Sequence, residues 1–257
     1  MNLSTLCKQL QLSFMAASAE NICEQAERQQ PHYADFLIDL LTQEYEGRLE
    51  RRAQRRVKDA KFPRVKTLDS FDFERVPNLP ETKIRKLLNC DYINKAEPII
   101  FIGEPGTGKT HLASALGYAA ALQGYSVRFI TACQLANSLV EAKNHQQLSS
   151  LILRYQKYHL LILDELGYLP LANIDAELLF QVLSQRHEKW PVIITTNLPF
   201  SEWTSVFVDH RLCKALIDRV THRAHIIETG AKSVRFEQTI ASLNKINSKK
   251  GGDAVMA

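Results

Sequence analysis

The sequence has few of the features expected of a secreted, membrane-spanning or metal-binding protein. Its five cysteines are scattered and form no C-x-x-C pair, which predicts a reducing, cytoplasmic setting and no zinc site. No apolar run approaches the roughly 18 residues of a transmembrane helix. Gln9, Gln11 and Ser13 interrupt the stretch that most resembles a signal peptide. A G-x-S-x-G motif and a metal-ligand motif are absent as well. We therefore expect a cytoplasmic protein without membrane contact.

One stretch carries a specific chemical motif. Residues 103–110 match the phosphate-binding P-loop pattern G-x-x-x-x-G-K-[ST] without a mismatch. A buried strand is predicted before the loop, at 97–102, and a helix after it, at 110–123. Phosphate binding requires this context, because loop amides and helix N-terminal amides must converge on the phosphates. The predicted nucleotide contacts are Gly103, Glu104, Pro105, Gly106, Thr107, Gly108, Lys109 and Thr110, with Lys109 also counted as catalytic.

An acidic pair is predicted to complete the site. Four apolar residues, 160–163, lead into Asp164 and Glu165, and the carboxyl end of a buried parallel strand is where ligands lie. Asp164 would hold Mg²⁺ together with the Thr110 hydroxyl. Glu165 would polarise the attacking water as the general base. The alternative is an acidic pair that merely caps the following turn.

The order of the strands selects among classes of P-loop protein. A strand at 125–130 and a pair of helices at 133–157 stand between the P-loop and the acidic pair, and a strand at 191–197 follows. This layout is typical of P-loop NTPases with an additional strand and a catalytic glutamate, and it argues against a small-molecule kinase. Asn197 is then predicted to orient the water together with Glu165. The alternative is that Asn197 only forms part of a turn, as asparagine after a strand ordinarily does.

An arginine near a subunit edge can complete a neighbour's active site as an arginine finger. Arg219 is our first choice for this role, with Arg223 and Arg211 behind it. The competing interpretation is a surface salt bridge from Arg219 to Asp218 or Glu228, which the sequence alone favours.

The remaining elements of the carboxyl half are predicted to be a helix at 174–188, a helical stretch at 214–220 and a strand at 225–228. His222 and His225 have an H-x-x-H spacing without a supporting acidic motif. We interpret both histidines as structural.

The amino-terminal region is predicted to form two or three short helices, and its charge is sharply divided. Residues 1–47 carry a balance of −5 and residues 48–66 a balance of +7. Five arginines of the second block recur at the spacing of one helix face. With one lysine they form the predicted DNA-binding set of Arg48, Arg51, Arg52, Arg55, Arg56 and Lys58. Such a stripe suits the phosphates of a duplex, but it equally suits a solvated face or one that meets a neighbour's acidic segment.

The predicted domain organisation has four parts. They are a helical domain at 1–60, a proline-containing linker at 61–80, an ATPase core at 81–243 and a disordered tail at 244–257. Within the linker, Phe71 and Phe73 are either core anchors, which we favour, or walls of an adenine pocket.

Together these residues resemble the IstB family of ATP-binding transposition helper proteins, relatives of the DnaC helicase loaders and the initiator DnaA. The resemblance covers nearly the whole chain. Its most specific pieces are Phe62-Pro63, Lys66-Thr67-Leu68, Phe71-Asp72-Phe73, the loop 103–110 and the stretches 164–170, 195–200 and 218–223. Val220 departs from the leucine that the family more often has at that position.

The resemblance implies an α/β fold of the AAA+ class, with a five-stranded parallel sheet in the order 5-1-4-3-2 after a small helical domain. Because few residues follow Glu228, we expect no C-terminal lid domain. By position, Asn197 becomes the sensor and Arg219 the finger. The resemblance also favours the DNA-binding interpretation of the arginine stripe.

The implied activity is slow, assembly-coupled hydrolysis of ATP with Mg²⁺. The implied partners are duplex DNA, which a homo-oligomer would remodel, and a transposase encoded by the same element. A DnaC-like loader of a replicative helicase is the alternative, and a metabolic phosphotransferase is a third possibility.

Overall fold

The computed structural model describes residues 3–168, 173–207 and 209–230. The chain divides into two compact units between Arg56 and Val57. The predicted tail, 244–257, and the last part of the predicted core lie outside the described residues. Within the described ranges, no helix is long and apolar enough to cross a membrane.

The amino-terminal unit contains α1 (Leu3–Gln9), α2 (Ser13–Gln29) and most of α3 (Tyr33–Ala60). The sequence predicts short helices here, whereas α3 is one helix of 28 residues. Its interior holds no proline, and its single glycine, Gly47, lies against a ring, since a Cβ there would stand 3.1 Å from Phe14. The small buried core consists of Cys7, Met15 and Leu40.

The segment that leads into the sheet packs on the core of the second unit. It contains a 3₁₀ turn at Leu68–Ser70, then α4 (Glu81–Leu87) and α5 (Asp91–Asn94). The sequence of residues 81–93 predicts a single helix that leads into the first strand, but this helix is interrupted because Cys90 adopts a left-handed φ of 62°. Residues 61–80, predicted as a linker, contribute three buried side chains to the core: Leu68, Val76 and Leu79.

Five parallel strands form the sheet: β1 (Ile99–Ile102), β2 (Val127–Thr131), β3 (Leu160–Leu166), β4 (Val192–Thr196) and β5 (His225–Glu228). Their order is β5-β1-β4-β3-β2, which confirms the predicted order 5-1-4-3-2. The helices between and after them are α6 (Lys109–Leu122), α7 (Ala132–Asn144), α8 (Leu148–Gln156), α9 (Asn173–Arg186) and α10 (His210–Thr221).

The sheet separates two apolar cores, because successive residues of a strand point to opposite faces. On β3, Leu161 and Leu163 pack into the core that contains residues of α7, α9 and α10. Leu160 and Ile162 pack into the core that contains residues of α6. Since all five strands run in one direction, their carboxyl ends meet at a single edge, and a doubly wound sheet binds its ligands there.

Candidate nucleotide-binding site

The P-loop joins the end of β1 to the start of α6. Gly108, the N-cap residue of α6, has a left-handed φ of 92°, and a Cβ there would stand 2.6 Å from the Phe71 ring. Lys109 donates from Nζ to the carbonyls of Gly103 at 2.6 Å and Glu104 at 2.8 Å. The ammonium group therefore lies within the curve of the loop, beside helix N-terminal amides that favour an anion.

The residues after β5 support the same loop. The hydroxyl of Thr229 lies 2.6 Å from that of Thr107, and both side chains are buried. The amide of Glu104 donates to the carbonyl of Gly230 at 3.1 Å. No sequence motif points to Thr229. The one available signal is the predicted sheet order, which makes β5 the neighbour of β1 and so places the residue after β5 next to the P-loop.

The predicted Mg²⁺ ligands are in contact with each other. Thr110 Oγ1 donates to the two carboxylate oxygens of Asp164 at 3.0 and 3.2 Å. Thr195 Oγ1 also donates to Asp164, at 2.5 Å, and it accepts the amide of Glu165 at 2.9 Å. Hydroxyl and carboxylate oxygens are the donors that Mg²⁺ prefers, so Thr110 and Asp164 fit this ion. Thr195 is a supporting residue that no pattern in the sequence distinguishes from an ordinary strand threonine.

Glu165 leaves the strand through a β-bulge. The pairing of β3 with β4 shifts in register between Leu163 and Leu166, so Asp164 and Glu165 together oppose one residue of β4. Glu165 has a left-handed φ of 60°, and its side chain is exposed while the other residues of β3 are buried. Bulges redirect side chains, and strained backbone of this kind collects at functional sites. The local backbone thus turns Glu165 out of the sheet and into the cleft.

Two cavities lie against the P-loop. The smaller, of about 160 Å³, brings Lys109, Glu165 and Asn197 to one space, as the sequence predicts. The larger, of about 560 Å³, is lined by the loop and by Phe71, and its volume lies in the range of small-molecule sites. Phe71 also packs against the core, as does Phe73. Phe71 therefore packs on the core and also lines the larger cavity, whereas Phe73 is a core anchor.

His111 connects the wall of the larger cavity to the P-loop helix. Its Nε2 lies 3.0 Å from the Thr67 carbonyl and 3.2 Å from the Ser70 hydroxyl, and its ring meets Phe71 edge to face. Burial lowers the pKa of His111 and nearby Lys66 lowers it further, against the opposing effect of the Thr67 hydrogen bond. The lowered pKa favours the neutral imidazole at pH 7. Because the Thr67 carbonyl can only accept, Nε2 is the donor to it.

Arg219 lies far from the P-loop of its own chain. Its guanidinium carbon stands 4.9 Å from the centre of the Phe180 ring, and it donates to the Ala215 carbonyl at 3.1 Å. Because α10 ends just before β5 begins, Arg219 lies at the amino edge of the sheet. The four residues of β1 separate the two edges by about 13 Å, which an arginine side chain does not bridge. Arg223, the second choice for a finger, pairs with Glu97 at 3.3 Å.

Two arginines of the stripe on α3 form ion pairs within their own unit. Arg48 and Arg51 approach the carboxylate of Glu44 at 2.9 and 3.4 Å. Arg52, Arg55 and Lys58 are exposed, and Arg56 is partly buried. Arg52, Arg55 and Lys58 are exposed and lie outside the Glu44 ion pairs, so they are the members of the predicted DNA-binding set best able to contact a phosphate.

Glu44 itself caps a neighbouring helix. Its carboxylate accepts the amides of Phe14 and Met15 at 2.8 and 3.0 Å, in the first turn of α2. Burial by itself would raise the pKa of Glu44, but the hydrogen bonds from Arg48 and from these two amides outweigh burial and lower it. The carboxylate is therefore stabilised in its charged form and joins α2 to α3.

Comparison with known proteins gives concordant results. The family model described as IstB-like ATP binding protein matches residues 5–242. The chain is 36% identical over 236 residues to the ATP-binding protein named for insertion sequence IS21 in Pseudomonas aeruginosa, covering 92% of this chain and 89% of the relative. It is 38% identical over 232 residues to the corresponding protein of insertion sequence IS5376 in Geobacillus stearothermophilus, covering 90% and 92%.

Solved structures support the fold. The chain is similar to AMPPCP-bound DnaA from Aquifex aeolicus, with a TM-score of 0.55 and 23% identity over 71% of this chain and 55% of that one. At this identity the likeness concerns the fold alone, and it agrees with the predicted α/β fold.

Proposed function

The chain belongs to the IstB-like ATP binding protein family, and from this premise we propose that it is an AAA+ ATPase that assembles on duplex DNA and recruits or stimulates a transposase. The meeting of Lys109, the Thr110–Asp164 pair and Glu165 at one edge of the sheet carries the ATPase part. The names of the relatives, both ATP-binding proteins of insertion sequences, support the transposition part.

Hydrolysis follows from the positions of the side chains. The loop amides and Lys109 bind the phosphates of ATP. Thr110 and Asp164 would hold Mg²⁺, which when bound would offset the negative charge that develops on those phosphates. Glu165 accepts the proton of the attacking water, and Asn197 orients that water from the next strand. Lys109, Thr110, Glu165 and Asn197 line the same cavity, and Asp164 lies against Thr110 at 3.0 Å. The reaction therefore requires no large rearrangement within the chain.

The proposed assembly depends on two features outside that cavity. Arg219 acts on the γ-phosphate bound by a neighbouring subunit, because it lies at the edge of the sheet opposite its own P-loop. The arginine stripe of α3 binds the phosphates of the duplex, with Arg52 and Arg55 contributing most because Arg48 and Arg51 share their charge with Glu44. ATP thus builds the assembly on DNA, and its hydrolysis dismantles it.

Two substitutions in one assay test the ATPase part. Lys109→Ala should abolish ATP binding and ATP-dependent assembly, because the loop loses its phosphate-binding cation. Glu165→Gln should leave ATP affinity unchanged and lower the rate of phosphate release by at least about 100-fold, since it removes the general base. Glu202→Gln, an exposed carboxylate elsewhere in this unit, is the control. Wild-type turnover in Glu165→Gln would reject this mechanism.

The DNA part is tested by gel shift and electron microscopy with ATP, ADP or no nucleotide. We expect ATP to give larger assemblies and tighter binding to duplex than to single strands. Replacing Arg52 and Arg55 with Gln should reduce the slope of log affinity against log salt by about 2. Arg28→Gln, an exposed arginine of α2 in the same unit, should change it by less. A preference for single strands, with co-purification of a hexameric helicase, would favour a helicase loader instead.

A further inference from the structure

We infer that His187, Glu188 and His222 form a binding site for a divalent transition-metal ion, with Zn²⁺ as the ion of best fit. Nε2 of His187 and Nδ1 of His222 each lie 4.0 Å from Oε1 of Glu188. All three ligand atoms lie within 4.8 Å of one another. Two imidazole nitrogens and one carboxylate oxygen are an established donor set for Zn²⁺ with an open fourth position. The sequence does not reveal the site, because His222 lies 34 positions after Glu188.

The separations leave room for one ion. A point equidistant from the three atoms lies about 2.0–2.5 Å from each, compared with about 2.0–2.2 Å for bound Zn²⁺. Each donor therefore has to move by no more than about half an ångström. The side chains of Glu188 and His222 are 70% and 51% exposed, so they can rotate that far, and an ion can enter from solvent.

The electrostatics of the site favour a cation. At 4.0 Å from each imidazole nitrogen, the Glu188 oxygen is too far away for a hydrogen bond to either one. His187 directly follows α9, and His222 is the C-cap residue of α10. Two helix C-termini, each with a partial negative charge, therefore converge on the same point. A divalent cation would satisfy both the lone pairs and the helix dipoles.

The negative charge of Glu188 is important to the proposed metal site because two arginines lie nearby. Arg186 and Arg219 line the small cavity that Glu188 and His187 border. The Glu188 carboxylate thus supplies the negative charge closest to the ion. Glu188→Gln should weaken binding at least as much as the loss of one imidazole.

A bound ion would fix the ends of α9 and α10 to each other. Phe180 lies on α9, and Arg219, which stacks on its ring, lies on α10 one turn before His222. The ion would therefore hold the stack that positions Arg219. This consequence rests on the finger role proposed above, whereas the metal site itself does not.

The site is tested on the full chain, freed of metal with a chelator, without ATP or DNA. Zn²⁺ is titrated at pH 7.5 in competition with a chromogenic chelator. Wild type should bind one more ion per chain than His187→Ala/His222→Ala, and this comparison removes the contribution of the five cysteines. The affinity at the site should fall by at least about 100-fold in the double variant, which lacks two of the three ligands.

His145→Ala is the matched control, since His145 is an exposed C-cap residue of α7. It should bind as many ions as wild type. Equal stoichiometry and affinity in wild type and the double variant would overturn the site. Should circular dichroism indicate that the double variant is unfolded, Glu188→Gln replaces it, and unchanged binding there would be equally decisive. Either result leaves the ATPase proposal untouched.

Discussion

Thr195 shows how one hydroxyl can organise a catalytic site. It donates to Asp164 and accepts the amide of Glu165, so it holds the proposed metal ligand and the proposed general base in one arrangement. We expect Thr195→Val, which keeps the shape and removes both bonds, to lower kcat for ATP by at least about 10-fold. It should also cost about 1–3 kcal/mol of unfolding free energy, because the Glu165 amide loses its partner. Phosphate release and denaturant unfolding measure the two effects.

Thr195→Ser separates the hydroxyl from the rest of the side chain. It keeps the donor and the acceptor and should retain most of the wild-type kcat. If the valine variant turned over ATP as fast as the serine variant, the hydroxyl would have no positioning role.

The proposed catalytic residues could be predicted because each lies at a fixed position in a recognisable sequence motif. Lys109 and Thr110 lie in a loop with fixed spacing, and Asp164 and Glu165 end an apolar run. Thr195 and Thr229 could not be predicted in the same way, because a threonine's function depends on which hydroxyl or carboxylate the sheet places beside it. That placement is a matter of strand order and register, which a single sequence specifies only through the whole fold.

The hydrogen bonds that hold α2 to α3 depend on the charge of the Glu44 carboxylate. The pKa of Glu44 is lowered in the folded protein, so its contribution to stability is present above the unfolded-state pKa of about 4.3 and is lost as the pH falls through the folded-state value. We expect Glu44→Gln to cost about 2 kcal/mol at pH 7. The difference from wild type should shrink towards pH 3.

Thermal unfolding followed by circular dichroism at both pH values measures this difference. Glu46→Gln, an exposed position on the same helix, is the control and should unfold like wild type at each pH. A Glu44→Gln deficit of the same size at pH 3 would show that shape, rather than charge, joins the helices.

The observed secondary structure agrees with the prediction where the hydrophobic periodicity of the sequence is strong. It differs where the backbone conformation of a single residue interrupts an element. The strands and their order agree with the prediction. Cys90, by contrast, interrupts a predicted helix by adopting a left-handed φ, although cysteine has no preference for that region. The bulge in β3 also has no signature in the apolar run that precedes it, because it arises from the pairing with β4.

The separation of Arg219 from the P-loop predicts a site shared between subunits. Because the two lie at opposite edges of the sheet, Lys109→Ala and Arg219→Ala would damage different halves of each interface in the proposed assembly. We expect each variant alone to hydrolyse ATP at less than about a tenth of the wild-type rate. An equimolar mixture should recover part of the activity, since some interfaces then pair an intact P-loop with an intact arginine.

Phosphate release from the two variants, measured separately and mixed on duplex DNA, tests this. Recovery requires mixed assemblies, so the same mixture of Lys109→Ala with Glu165→Gln is the control and should stay inactive, because both of these changes lie in the same half-site. A mixture that electron microscopy shows to form mixed assemblies, yet is no more active than the mean of its parts, would place Arg219 outside the site.

The left-handed backbone at Glu165 has a consequence for how this protein would change over generations. A side chain in that conformation costs roughly 1 kcal/mol relative to glycine. Glu165→Gly would therefore yield a more stable protein without its general base. Selection for hydrolysis is then what keeps the less stable residue in place. A copy of the gene that no longer needed to hydrolyse ATP would gain stability by losing this glutamate, and such a change would leave the P-loop intact.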